Sequence, residues 1–278
     1  MIHLTFPNLI GSIDRYENFH SQYMLARNVD VWLPEGYGED PEQRYAVLYM
    51  HDGQNLFDAD LSKTSHVAWR IDQALSKLMQ EGKVQKTIVV GVWCNEWRRS
   101  EYMPNKMTTG LRQMLFRWSV KRVMQKPPQS DEYLKYLINE IKPMIDRNYR
   151  TLPGRENTFV MGSSMGGLVS LYALCEYTEI FKGAGCVSTH FPAGKGILLE
   201  YMRSHLPAAG QHRIYFDHGT ADLDSEYGPY QDQADQIMRE KGYSSGEDWL
   251  TLKFVGQGHS EIYWQKRVHK PLEFLLRQ

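Results

Sequence analysis

The chain has 278 residues, 42% of them hydrophobic and 23% charged, enough to bury a full core as one domain. Its 32 lysines and arginines nearly cancel its 33 aspartates and glutamates. Without an overall basic field, nothing marks nucleic acid or an anionic membrane surface as a partner, and a small molecule is the expected one.

Short apolar runs alternate along the chain with longer ones of helical spacing, the pattern of a mostly parallel sheet covered by helices. Residues 23–33 (YMLARNVDVWL) alternate in part and stop at Pro34, so an early strand is expected there. Residues 45–50 and 87–92 are nearly continuous apolar runs, as buried parallel strands tend to be. Between them, 67–82 has helical spacing and ends at Gly82. A second helix is predicted over 131–149, with Asp131 as its N-cap and Pro143 kinking it or ending its first part. A strand at 157–162 runs into a buried helix from Ser164 to Tyr177. Further strands are expected near 183–188, 212–217 and 249–255, and helices at 227–242 and 261–277.

One stretch breaks the rhythm. Residues 94–130 hold Trp97, Arg98, Arg99, Tyr102, Met103, Met107, Met114, Phe116 and Trp118. A connection of that length within an α/β domain is read as a lid or substrate-loop insertion.

The strongest chemical signal is Gly162-Ser163-Ser164-Met165-Gly166. G-x-S-x-G alone is a weak motif, but an apolar strand enters it and an apolar helix leaves it, the setting of a nucleophile elbow. Only Ser164 has glycines two places to either side, so it is the candidate nucleophile. A serine needs a base, and on an elbow of this kind the partners follow in the order acid, then histidine. His259, in VGQGHSEIYW, lies between the last strand and the last helix and is the candidate base. Three carboxylates compete for the acid in FDHGTADLDSE. Asp217 ends a strand, whereas Asp222 lies past Gly219 where the loop can turn back, with Asp224 as runner-up. The oxyanion donors are expected to be the backbone N–H groups of Met165 and of Gln54, in the loop YMHDGQNLFD. His51, Asp52, Asn55 and Asp58 of that loop fit no metal-ligand spacing, so no metal site is assigned. Trp93, Trp97, Tyr102 and Trp264 are candidates for an aromatic substrate platform, and Arg98 for meeting an anionic group.

The runs RNVDVWLPEGY, YAVLYMHDGQNLF, IDRNYRT, FVMGSSMGGLVSLYA, EIFKGAGCVS and GHSEIYWQKRV resemble the putative-esterase family, which includes enterochelin-type siderophore esterases, feruloyl and acetyl-xylan esterases, S-formylglutathione hydrolases and mycolyltransferases. The resemblance implies an α/β-hydrolase fold with neither metal nor organic cofactor. It places the nucleophile on Ser164, the histidine on His259, the oxyanion amide on Gln54 and, through the pattern D-x-G-x-x-D, the acid on Asp222.

The resulting expectation is a serine carboxylic-ester hydrolase of small acyl esters of a sugar, a phenolic acid or a siderophore. Acyl transfer on the same residues and a non-catalytic binding role on the same scaffold are the alternatives. The N-terminus lacks a basic stretch followed by a long apolar one, and no apolar run reaches the roughly 18 residues of a membrane span, so the expected location is the cytoplasm. Cys94, Cys175 and Cys186 have no CxxC spacing and build no disulfide framework.

Overall fold

The structure is a computed structural model that describes residues 1–62, 66–107, 114–116, 118, 121–122 and 126–278. Its described residues form a nine-stranded sheet in the order β1-β2-β3-β5-β4-β6-β7-β8-β9. β1 (Ile2–Leu4), β2 (Ser12–Phe19) and β3 (Arg27–Leu33) join antiparallel to one another, and β3 joins β5 (Thr87–Val92) the same way. From β5 onward every pairing is parallel, through β4 (Ala46–His51), β6 (Thr158–Ser163), β7 (Gly183–Val187), β8 (Arg213–Gly219) and β9 (Trp249–Phe254). This is the mostly parallel α/β-hydrolase arrangement expected from the sequence.

Why the central strands read as continuous apolar runs is now plain. In β4, Val47 and Tyr49 enter the core on one face of the sheet, while Ala46, Leu48 and Met50 enter the core on the other. Both faces are covered by helices, so the period-2 alternation of a half-exposed strand disappears. The first two strands were not foreseen. In β2 (SIDRYENF) polar residues outnumber apolar ones and only Ile13 and Asp14 are buried, as befits a strand near the sheet edge.

The helices supply the rest of the frame. α1 (Ile71–Gln80) packs against the side that holds Leu48 and Met50. α2 is a single turn (Arg98–Glu101), which lies inside the stretch read as a lid or substrate loop. Residues 108–113, 117, 119–120 and 123–125 of that stretch lie outside the described residues.

The helix expected over 131–149 is present, with a different interior. α3 (Ser130–Tyr136) passes through a π-helical turn, Leu137–Ile141, into α4 (Lys142–Asn148). Pro143 follows directly on the π-helical turn, and the element runs through it without a break. The N-cap is Gln129; Asp131 lies inside the first turn and accepts a hydrogen bond from the Tyr172 hydroxyl instead.

α5 (Met165–Glu176) is buried continuously from Met165 to Leu174, as its uniformly apolar sequence requires. α6 (Ile197–His205), which the sequence reading missed, follows β7, and α7 (Gly228–Glu240) follows β8. The C-terminal helix is two helices, α8 (Glu261–Arg267) and α9 (His269–Leu276), joined at Val268. No helix among the described residues is long and apolar enough to cross a membrane.

Candidate active site

The strand-to-helix turn between β6 and α5 carries Ser164 at its tip, with φ +59° and ψ −118°. A non-glycine residue is seldom found in this region of backbone space, and holding one there costs on the order of 1–3 kcal/mol. The close packing around the turn supplies the constraint. A Cβ on Gly162 would sit 2.9 Å from the backbone of Gly166 and from the His51 ring, and one on Gly167 would sit 2.7 Å from the Thr189 hydroxyl. At Gly166, by contrast, a Cβ would meet nothing nearer than 3.6 Å. Gly162 and Gly167 are therefore the two glycines on which the turn depends sterically.

His259 stands in the loop between β9 and α8, half-buried, and lines the same cleft as Ser164. The carboxylate on its ring is Asp224, not Asp222. Asp224 Oδ1 accepts a hydrogen bond from His259 Nδ1 at 2.6 Å, and its Oδ2 accepts from the Ser188 hydroxyl at 2.6 Å and from the Gly219 amide at 2.7 Å. Burial alone would raise the Asp224 pKa, but the hydrogen bonds from His259, Ser188 and Gly219 outweigh it and hold it below the ordinary value. Asp222 faces solvent. Its backbone has φ +52° and opens a short 3-10 turn, Asp222–Glu226, which carries Asp224 back beneath the imidazole. The loops are clamped together by the carbonyl of Gln257, which accepts from the amides of Thr220 and Ala221 at 2.9 and 3.0 Å.

Ser188, which no motif singled out, is the hub beneath this pair. Its hydroxyl accepts from Trp264 Nε1 at 3.0 Å and from Arg267 Nη2 at 2.7 Å while donating to Asp224. Its amide donates to Asp217, which also accepts from Arg267 and from the Tyr215 hydroxyl. Asp217 thus anchors the platform and does not reach the histidine. Tyr227 and Trp264 each contact the His259 ring in edge geometry, with centroids 5.5 and 5.0 Å away. The imidazole is fixed by ring contacts as well as by its carboxylate.

The loop after β4 forms the other wall. Gly53 approaches β5 so closely that a Cβ would lie 2.5 Å from the Gly91 backbone and 2.8 Å from Trp93. Gln54 is buried, its side chain tied in both directions to Cys94: Nε2 donates to Sγ, and Oε1 accepts from the Cys94 amide. Among the described residues, neither the Gln54 nor the Met165 amide is spent on a backbone acceptor outside regular structure. At the head of the loop Asp52 has φ +58° and receives Arg98 through two hydrogen bonds of 2.6 and 2.7 Å. Burial would raise the Asp52 pKa, yet the adjacent guanidinium brings it below its usual value.

The cleft between these walls has a volume of about 460 Å³. Of the residues proposed from sequence for substrate contact, Arg98 and Trp264 line it. Three do not. Tyr102 is wholly buried, its ring 5.3 Å from that of His51 and its hydroxyl accepting from the Asp52 amide. Trp93 donates to Asp30 from its indole and lies under the Arg15 guanidinium. Trp97 carries Lys126 on its ring face at 3.6 Å. These side chains stabilise the cleft's surroundings. The aromatic residue missed is Trp69, which lines the cleft beside Trp264 with ring centroids 5.5 Å apart. Its position follows from a long-range backbone bond, Trp69 N–H to the Asn55 carbonyl, that no local pattern announces. Among the described residues no group of three or more His, Cys, Asp and Glu side chains could hold a metal ion.

A parallel α/β sheet, a serine on a strained strand-to-helix turn and a carboxylate-bound histidine in one cleft define the class of α/β-hydrolases. The chain belongs to the family described as putative esterase, whose model matches residues 25–269, and it is a carboxylic ester hydrolase. It is 22% identical over 260 residues to the uncharacterized protein YbbA of Bacillus subtilis, covering 90% of this chain and 92% of that one. An IroE-like serine hydrolase from Shewanella oneidensis is similar in structure, with a TM-score of 0.69, 19% identity, and coverage of 95% of this chain and 79% of that one. A ferulic acid esterase of Anaeromyces mucronatus gives a TM-score of 0.64 at 21% identity, covering 95% and 89%.

Proposed function

We propose that ester cleavage proceeds through an acyl-enzyme formed on Ser164, with His259 as base and Asp224 as the acid that orients it. The observation that carries this reading is the placement of Ser164, at its strained φ, in the same cleft as an imidazole whose Nδ1 is bound to a buried carboxylate. With Nδ1–H committed to Asp224, Nε2 is the nitrogen free to take the serine proton. Ser164 Oγ attacks the carbonyl carbon, and the amides of Met165 and Gln54 receive the developing oxyanion. The alcohol leaves with the proton from His259. Water, deprotonated by the same nitrogen, then releases the acid.

The cleft supports an ester whose acyl part is small and planar. Trp69 and Trp264 give one side an aromatic surface, which favours a phenolic acyl group such as the one named for the ferulic acid esterase relative. Arg98 is engaged by Asp52 and makes a poor receptor for a free anion. The test is steady-state hydrolysis of a chromogenic short-chain ester and of a feruloyl ester by wild type and Ser164→Ala. Turnover by wild type and its loss in the variant are expected; undiminished turnover by the variant would remove the proposed nucleophile.

A further inference from the structure

The two proposed oxyanion donors sit on different elements, Met165 on the elbow and Gln54 on the loop after β4. Backbone pairing between the strands that lead to them ends short of both, since the β4–β6 register stops at Met50 and Met161. The separation of the two amides is therefore set beyond the ladder.

Arg98 spans that gap from the edge of the cleft. Its Nε and Nη2 donate to the two Asp52 carboxylate oxygens at 2.6 and 2.7 Å, and Nη2 also donates to the Ser163 carbonyl at 3.4 Å. Asp52 stands two residues before Gln54, and Ser163 two residues before Met165. The guanidinium lies over the Tyr102 ring, 5.0 Å from its centroid, and the Tyr102 hydroxyl accepts from the Asp52 amide.

The turn that carries Arg98 is itself anchored. Glu101 receives Arg27 of β3 through two hydrogen bonds of 2.7 and 2.8 Å and accepts from Asn95 Nδ2 at 3.0 Å. Arg27 and Glu101 are both buried. Cys94, four residues before Arg98, holds the Gln54 side chain. Residues 94–101 thus grip the oxyanion loop at Asp52 and at Gln54 and tie it to the central sheet. A buried ion pair adds little net stability, because desolvation offsets the attraction, but a bidentate fork fixes distance and angle.

We infer that Arg98 is a positioning residue that sets the separation of the Met165 and Gln54 amides by bridging Asp52 to the Ser163 carbonyl. The inference rests on the acyl-enzyme reading with those two amides as oxyanion donors. Arg98 acts through the loop and the elbow, with its charge held by Asp52. Oxyanion donors work at about 2.7–3.1 Å, so a displacement of about 1 Å costs about 10²-fold in rate. That loss falls on the transition state alone, which lowers kcat and leaves KM.

The experiment is steady-state hydrolysis of a 4-nitrophenyl ester together with inhibition by a trifluoromethyl ketone. Ser164 Oγ adds to the ketone carbon while His259 takes the serine proton, and the resulting oxyanion occupies the same two amides. Arg98→Lys keeps Asp52 paired but replaces the fork by a point donor. The double variant Arg98→Met, Asp52→Asn leaves no charge unpaired and keeps at position 52 a residue tolerant of positive φ. It should lower kcat about 10²-fold, raise the Ki of the ketone by a similar factor and hold KM within about threefold. Arg98→Lys should show the same split at about tenfold. A rise in KM at unchanged kcat would make Arg98 a substrate contact. A fall in kcat with the ketone's Ki unchanged would place its role outside the oxyanion hole. Either result, or a wild-type kcat in the double variant, overturns the inference. Ser164→Ala serves as the separate control: if it still binds the ketone tightly and turns over the ester, the acyl-enzyme reading itself has failed.

Discussion

Asp224, and not Asp222 two residues earlier, holds the His259 ring, with Oδ1 2.6 Å from Nδ1. The two aspartates differ in burial as sharply as in role, since Asp224 is 1% exposed and Asp222 faces solvent. Asp224→Asn should lower kcat by about 10³–10⁴-fold by allowing the wrong imidazole tautomer, with little change in KM. Asp222→Asn should stay within about twofold of wild type. Steady-state kinetics on one chromogenic ester decides this, and the reverse ranking would restore Asp222 as the acid.

The second prediction concerns the wall opposite the histidine. Gly53→Ala would force the β4–α1 loop away from Gly91, because the added carbon would lie 2.5 Å from that backbone. The Gln54 amide would move with it. Losing one oxyanion donor costs about 10²–10³ in kcat, so a fall of about 10²-fold is expected, with a smaller effect on KM. Kinetics of the purified variant check this, and a full rate would place the second donor elsewhere.

The third is a pH effect on stability. His51 is 2% exposed and bonded through Nδ1 to the Tyr133 hydroxyl, while its Nε2 has no hydrogen-bond partner among the described residues. Burial lowers its pKa from 6.5 to about 4, with Asp52 opposing the shift and Arg98 adding to it. The unfolded chain therefore binds a proton that the folded one refuses. The folded-state pKa is the depressed one, so the contribution is complete above pH 6.5 and is lost as pH falls towards 4. The loss is on the order of 3 kcal/mol. Urea unfolding of wild type and His51→Asn between pH 7 and 4.5 should show wild type losing more stability. Parallel curves would mean that His51 does not titrate in this way.

How much of this was legible beforehand depends on whether the determinant is local. Strand β6 and helix α5 announce Ser164 because a buried strand, a tight turn and a buried helix each leave a mark in consecutive residues. His259 follows from its place between the last strand and the next helix. The acid does not, because a positive φ at Asp222 reverses the chain and carries the later carboxylate inward. Spacing in the sequence holds no record of that angle. Ser188, Trp69 and Tyr227 are equally silent, since each is brought to the site by contacts across the sheet or between loops. Tyr102, conversely, is read from the sequence as a candidate for the substrate platform and lies fully buried against His51 and Tyr133.

The most direct test of the account is the covalent one. A fluorophosphonate probe, incubated with the intact protein and followed by peptide mass spectrometry, should leave a single phosphonyl adduct on Ser164. Labelling should slow sharply in Asp224→Asn and keep its rate in Asp222→Asn, in step with the loss of ester turnover. An adduct on another residue, or complete labelling with turnover undiminished, would contradict the assignment of Ser164 as the nucleophile.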